Sequence, residues 1–207
     1  MTKWINTVLT RKRLEDKIQD DTYKGRPLIF RDSRINGGVY LGSNRREALV
    51  VDFDKDSYLS SLYEQAKEKC FMGRKFVKQL VLPTVYSLVQ NSMPERLPHG
   101  FLKYSQFKDD VKVYLGFFIK NGKGCCRHRA LATAALLEKF ADEGYIRGKA
   151  SVDRNIIGKD SHAWCRYTAH DGTVVILDTQ FDYLGPLNTK PWDYMRKSDK
   201  SFINGED

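Results

Sequence analysis

The chain has 207 residues and carries 35 Lys and Arg against 26 Asp and Glu, a formal net charge of +9. At about 150 residues per domain this is a single domain, and a chain of this size buries about 70% of its unfolded surface without a metal or disulfide staple. With 41% hydrophobic and 29% charged residues, the composition is globular and excludes a disordered or collagen-like chain.

In chain order, residues 3–20 place Trp4, Ile5, Val8, Leu9, Leu14 and Ile18 at helical spacing. A Gly- and Asn-punctuated stretch follows, in which Leu28-Ile29-Phe30 and Val39-Tyr40-Leu41 are expected to pair as a hairpin around Asn36-Gly37-Gly38. Asp56 or Ser57 can cap a helix running to about Cys70. A second helix is expected from about Arg74 to Gln90, kinked or divided at Pro83. Pro94, Pro98 and Gly100 mark a loop, and Ser105 to Ile119 reads as another helix. Residues 1–100 thus read as a helical N-terminal part, 101–195 as the core that carries chemistry, and 196–207 as a polar tail that frays.

After the breaker Gly122-Lys123-Gly124, the run from Cys126 to Glu143 is rich in Ala and Leu and stops at Gly144. So many small apolar residues imply a central helix packed on several sides. Three strands follow: 149–153, 161–169 and 173–179. The fold class expected is therefore α+β, with N-terminal helices and a mostly antiparallel sheet against the central helix.

The basic residues are scattered, so the positive charge reads as a solvated surface, and without an aromatic-basic motif no nucleic-acid binding is expected. Cys70, Cys125, Cys126 and Cys165 form no C-x-x-C pair, which suits a reducing compartment. No apolar run is long enough for a leader or a membrane span. A soluble cytoplasmic protein with no transmembrane segment is expected. The His and Cys spacing shows no ligand pattern, so no metal and no cofactor is expected.

A thiol attacks only as thiolate, and the first turn of a helix favours that form through its free N–H groups and dipole. Cys126 holds that place, and the same N–H groups can meet an oxyanion. The base and its orienting group come from the last two strands. A two-residue Asp171-Gly172 turn would put His162 and Asp178 on opposite faces. A three-residue loop, His170-Asp171-Gly172, pairs 169 with 173 instead. Position 162 then lies opposite 180 and position 178 opposite 164, so both side chains share one face as diagonal neighbours.

Gly124-Cys125-Cys126-Arg127-His128-Arg129-Ala130 resembles the G-x-C-x-x-x-A motif of the transglutaminase-like branch of papain-like cysteine hydrolases. Ser161-His162-Ala163-Trp164 resembles its H-A-W strand and Ile176-Leu177-Asp178-Thr179 its L-D strand, in the family's order. The Cys-Arg-His-Arg-Ala run is further similar to the peptidase-like domain found before some plant Raf-like kinases and in some armadillo-repeat proteins. The resemblance covers about 122–185. It implies a papain-like core with Cys126 as nucleophile, His162 as general base and acid, and Asp178 as its orienter. It implies a peptidase, amidase or deamidase acting through a thioester on a protein or peptide substrate, for which acidic substrates fit the charge. The alternatives are acyl transfer to an amine, or a non-catalytic protein-binding module. The papain Gln before the Cys has no counterpart in Phe118-Ile119-Lys120-Asn121-Gly122, which leaves the second oxyanion donor unassigned. The zinc-binding C-x-x-C pairs of peptide glycanases are missing, which argues against that activity.

Each residue also has a plainer reading. Cys126 can be a small buried residue of an Ala-rich helix. Cys125 is the rival nucleophile, at the motif's variable position. His128 points about 200° away from Cys126 on the helix and reads as a surface residue or a support behind the site. His170 at a loop tip and His99 beside Pro98 read as solvated. Cys165 lies on the opposite strand face from His162 and reads as core. Cys70 either packs or is exposed, and Trp164 either walls the site or is core.

Overall fold

The computed structural model describes residues 18–41, 47–98, 101 and 111–199. It is a mixed α/β protein with antiparallel sheets. Most of the helix expected over 3–20 lies outside the described residues. Its end is not helical: β1 (Ile18–Gln19) pairs with β2 (Thr22–Tyr23), and β2 with β3 (Arg26–Pro27). Asp20 and Asp21 turn the chain with positive φ, a conformation that a short polar side chain tolerates.

The expected hairpin of 28–30 with 39–41 does not form; a single parallel bridge joins Leu28 to Val39. β4 (Val39–Leu41) pairs instead with β5 (Glu47–Val50), and β5 runs parallel to β9 (Val111–Tyr114). The reason is burial: all four β5 residues are buried, and such a strand needs a partner on each edge.

Asp56 caps α1 (Ser57–Lys69), its carboxylate accepting from the Leu59 N–H at 3.1 Å. The expected helix over 74–90 starts late. Phe71–Met72 (β6) and Lys75–Phe76 (β7) form a tight hairpin at Gly73, a 3-10 turn covers Lys78–Leu80, and α2 runs Val81–Ser92. Pro83 therefore sits in the first turn, where its missing N–H costs no bond, and it neither kinks nor divides the helix. After β8 (Glu95–Arg96), the described part of the helix expected over 105–119 is instead β9 and a short α3 (Gly116–Lys120). Residues 105–110 lie outside the described set. Among its described residues the N-terminal part is thus less helical than its periodicity suggests, since short segments suit either a helix or a buried strand.

β10 (Lys123–Gly124) leads into α4 (Cys126–Asp142), the expected central helix. Its residues are buried nearly all round, from Arg127 to Leu137. It ends at Gly144 in the left-handed conformation, with the Tyr145 N–H returning to the Phe140 carbonyl. A four-stranded antiparallel sheet covers it: β11 (Gly148–Ile157), β12 (Asp160–Ala169), β13 (Val174–Asp178) and β14 (Tyr183–Pro186). The face carrying Ala150, Val152, Ala163, Cys165, Tyr167 and Leu177 joins the main core around α4. The other face buries Trp164 and Ile176 against Tyr194.

The described start of the polar tail does not fray. The Arg196 guanidinium binds the buried Asp153 carboxylate, and Arg166 makes a two-pronged pair with Asp199 at 2.7 and 2.8 Å. Charge pairing, not apolar burial, anchors it, which hydropathy cannot signal. Among the described residues no helix is long and apolar enough to cross a membrane.

Candidate functional site

The loop 170–172 decides whether His162 and Asp178 can meet. The Gly172 N–H returns to the Ala169 carbonyl at 3.0 Å, the Ala169 N–H donates to the Thr173 carbonyl at 2.8 Å, and Gly172 has φ +85°. This is the three-residue loop. Cys165 therefore faces Leu177 and Thr168 faces Val174, the register in which 164 faces 178 and 162 and 178 share a face. His162 Nε2 lies 2.6 Å from Asp178 Oδ2. Asp178 is 1% exposed and accepts three more hydrogen bonds: Tyr194 Oη on Oδ2 at 2.9 Å, and the Gln180 and Phe181 N–H groups on Oδ1 at 2.9 and 3.2 Å. With Nε2 on the carboxylate, the other ring nitrogen is left to serve Cys126, to which His162 is electrostatically coupled.

Cys126 is the first residue of α4, after Cys125 in extended conformation. The His128 and Arg129 N–H groups close the first turn on the Cys125 carbonyl, so the Cys126 and Arg127 N–H groups lie at the helix end, before any intrahelical partner. The influence of Cys125, His162 and the Ala163 backbone on the Cys126 sulfur outweighs the opposing effect of burial and brings its pKa down to about 4. Burial pulls His162 down, but the influence of Asp178 and Cys126 outweighs that and raises it to about 9. Between those values the pair is thiolate and imidazolium. The three side chains singled out in the sequence thus come together.

Around His162 stand Phe181 with ring centroids at 4.5 Å, Trp192 at 5.2 Å and Trp164 at 5.9 Å. Trp164 is both site wall and core, being 2% exposed. Tyr40 on β4 is electrostatically coupled to Arg154, Arg127 and Cys126. Cys165 and Cys70 are buried, and all four cysteines are free thiols.

Of the two placements open to His128, the buried one is observed, at 0% exposure. Its Nδ1 accepts the Cys125 N–H at 3.1 Å and lies 3.1 Å from the Cys125 sulfur. Nε2 is 3.6 Å from Glu47 Oε1. Arg127 pairs with Glu47 and donates to the Cys125 sulfur at 3.2 Å. Arg129 is a clamp, donating to the carbonyls of Thr179, Met93 and Pro94 at 2.9, 2.6 and 3.3 Å. It ties the start of α4 to the end of β13.

Sequence reasoning missed Tyr194, Tyr40, Glu47 and the inward turn of both arginines. The only available signal was an alternation of Arg with buried-type residues at 127–130, too short to read. Two concavities lie at the hairpin end of the sheet, one lined by Tyr145, Arg147, Tyr167 and His170 and one by Lys149, Thr168 and His170; neither includes Cys126. Among the described residues no group of three His, Cys, Asp or Glu could hold a metal ion. No family model, curated protein or solved structure matches this chain significantly.

Proposed function

We propose that the protein is a cysteine-dependent hydrolase of a peptide or carboxamide bond, built on a papain-like, transglutaminase-like core, with Cys126, His162 and Asp178 as its catalytic residues. The observation that carries this reading is the buried His162–Asp178 pair, with the carboxylate on Nε2 at 2.6 Å, electrostatically coupled to Cys126 at the start of α4. A nucleophile, a base and an orienting group in series are what covalent acyl transfer needs.

The Cys126 thiolate attacks the carbonyl carbon, and the electron pair moves onto oxygen beside the Cys126 N–H. The oxyanion collapses to a thioester as the C–N bond breaks, and imidazolium His162 gives its proton to the departing amine. Neutral His162 then takes a proton from water. The hydroxide adds to the thioester, the Cys126 thiolate leaves, and the carboxylic acid product gives up its proton to solvent. Asp178 keeps the ring oriented with its free nitrogen on the sulfur. The substrate is a protein or peptide, and free thiols fit a reducing compartment such as the cytoplasm.

The test is a thiol-directed electrophile followed by peptide mapping, with proteome digestion as the turnover assay. Labelling at Cys126 that outpaces Cys70, Cys125 and Cys165 and collapses in His162→Ala supports the enzyme, as do cleavage or deamidation products lost in Cys126→Ala. Amine incorporation in place of hydrolysis redirects the reading to a transamidase. Equal, slow labelling of all four thiols sinks it.

A further inference from the structure

We propose that Tyr194 is a positioning residue for the His162–Asp178 pair: its buried hydroxyl donates to the carboxylate oxygen that His162 uses, and so sets how tightly that oxygen holds the imidazole proton. This rests on His162 being the base of the site described above.

Two donors meet on one oxygen. Asp178 Oδ2 lies 2.6 Å from His162 Nε2 and accepts from Tyr194 Oη at 2.9 Å, while Oδ1 takes the Gln180 and Phe181 N–H groups. A carboxylate offers about four lone-pair sites, and these four donors occupy them. The two N–H groups belong to the chain just after Asp178 and fix Oδ1, so the tyrosine is what shares Oδ2 with the ring. Donors on one acceptor oppose each other: the hydroxyl hydrogen brings positive charge beside the imidazole proton and draws on the same electron pairs.

Packing accounts for the ring of Tyr194 but not for its hydroxyl. The side chain is fully buried, stacked on Tyr183 with centroids 5.2 Å apart and edge-on to Trp164 at 5.2 Å. A phenylalanine would fill the same space. A hydroxyl taken out of water costs stability unless it is bonded, and here its acceptor is the carboxylate of the pair. Burial and the neighbouring Asp178 push the Tyr194 phenol up, so it remains protonated and able to donate.

The chain beyond β14 fixes the hydroxyl from both sides. Before it, Asn155 donates to the Asp193 carbonyl at 2.6 Å and accepts from the Trp192 indole N–H. After it, the Arg196 guanidinium donates to both oxygens of Asp153 at 2.7 Å. Asn155 and Asp153 both lie on β11, so Tyr194 is suspended between two anchors on one rigid strand.

The chemistry gives this contact a use. Burial lowers His162, yet Asp178 and Cys126 carry it up to about 9, and an imidazolium held too strongly is a poor acid near neutral pH. By drawing off part of the carboxylate's charge, Tyr194 keeps His162 able to give its proton to the departing amine. Other ionisable groups act on the same centre: Cys126 and Arg129 from α4 and Tyr86 from α2 on the pair, and Tyr183 from β14 on Tyr194. The substitutions below leave all four in place.

The experiment compares the full chain with Tyr194→Phe in a nitrogen-15 NMR pH titration of histidine-labelled protein, with the exposed His170 as internal reference. Loss of the hydroxyl is expected to raise the His162 midpoint by about 0.5–1 pH unit, a three- to tenfold tighter hold on the proton. A Tyr194→Phe variant with an intact backbone spectrum and an unmoved or lowered His162 midpoint overturns the proposal, because a residue that serves packing alone would leave the midpoint in place. Tyr194→fluorotyrosine keeps the ring and hydroxyl and makes the hydroxyl a stronger donor. It is expected to lower the midpoint, and it decides if the phenylalanine variant does not fold; a midpoint that stays or rises overturns the proposal. The two readings fail separately. Wild-type turnover in the proteome digest with an unmoved midpoint in Tyr194→Phe removes this inference and leaves the hydrolase. A raised midpoint in Tyr194→Phe, with no turnover by the wild type, leaves this inference standing and removes the hydrolase.

Discussion

Asparagine at position 178 is the most informative single change, because every hydrogen bond to Asp178 comes from a donor. His162 Nε2, the Tyr194 hydroxyl and the Gln180 and Phe181 N–H groups all point at its two oxygens. An amide has one oxygen and one NH2, so Asp178→Asn must set a donor against a donor on one side. If the NH2 faces Gln180 and Phe181, His162 keeps only a neutral acceptor. If it faces His162, the ring proton is driven to the nitrogen that should receive from Cys126. Either way the imidazolium loses a charge-assisted bond worth about 1.5–3 kcal/mol. At about 1.36 kcal/mol per pH unit, the His162 midpoint falls by about 1–2 units from its raised value of about 9. The assay is a nitrogen-15 NMR titration of the histidine-labelled protein, which also reports which ring nitrogen carries the proton. An asparagine variant with an intact backbone spectrum and an unmoved His162 midpoint would refute the reasoning.

The thiol and the imidazole also set a stability profile. His162, raised to about 9 from an ordinary 6.5, stabilises fully below about 6.5, and that contribution is lost as pH rises through about 9. Cys126, depressed to about 4, stabilises fully above its unfolded value and loses that contribution as pH falls through about 4. The two slopes cancel between about 6.5 and 9, which leaves a net rise from about pH 4 to 6.5 of at most about 3 kcal/mol. Urea unfolding should show the gap between wild type and Cys126→Ala widening across that window, and a constant gap contradicts the ion pair. Gly116→Ala tests the N-terminal packing: a Cβ there would stand 1.8 Å from Asp56 Oδ1, the carboxylate that caps α1 and takes the Gly116 N–H at 2.6 Å through Oδ2. Displacing that carboxylate should cost about 2–4 kcal/mol, read as a lower urea midpoint, and an unchanged midpoint would mean that the cap is not needed.

The central helix was legible in the sequence because it is local: Ala-rich from 130 to 141, with Gly124 before it and Gly144 after it. The β12–β13 register was legible for the same reason. One glycine at position 172 selects the loop length, and loop length sets which residues share a face. That local chemistry already placed Cys126 at a helix start and put His162 beside Asp178. The N-terminal strands were not legible, because Glu47–Val50 and Val111–Tyr114 are four-residue segments whose state depends on a partner far away in the chain. Nor did any pattern announce that Tyr194 would reach Asp178, that Glu47 would meet Arg127 and His128, or that Arg129 would turn inward to three carbonyls. Short-range sterics, helix propensity and turn geometry act within a few residues, so the sequence by itself determines the central helix and the β12–β13 register. Which charge is buried against which, and what holds the thiol, is decided only when distant segments exclude water from one another.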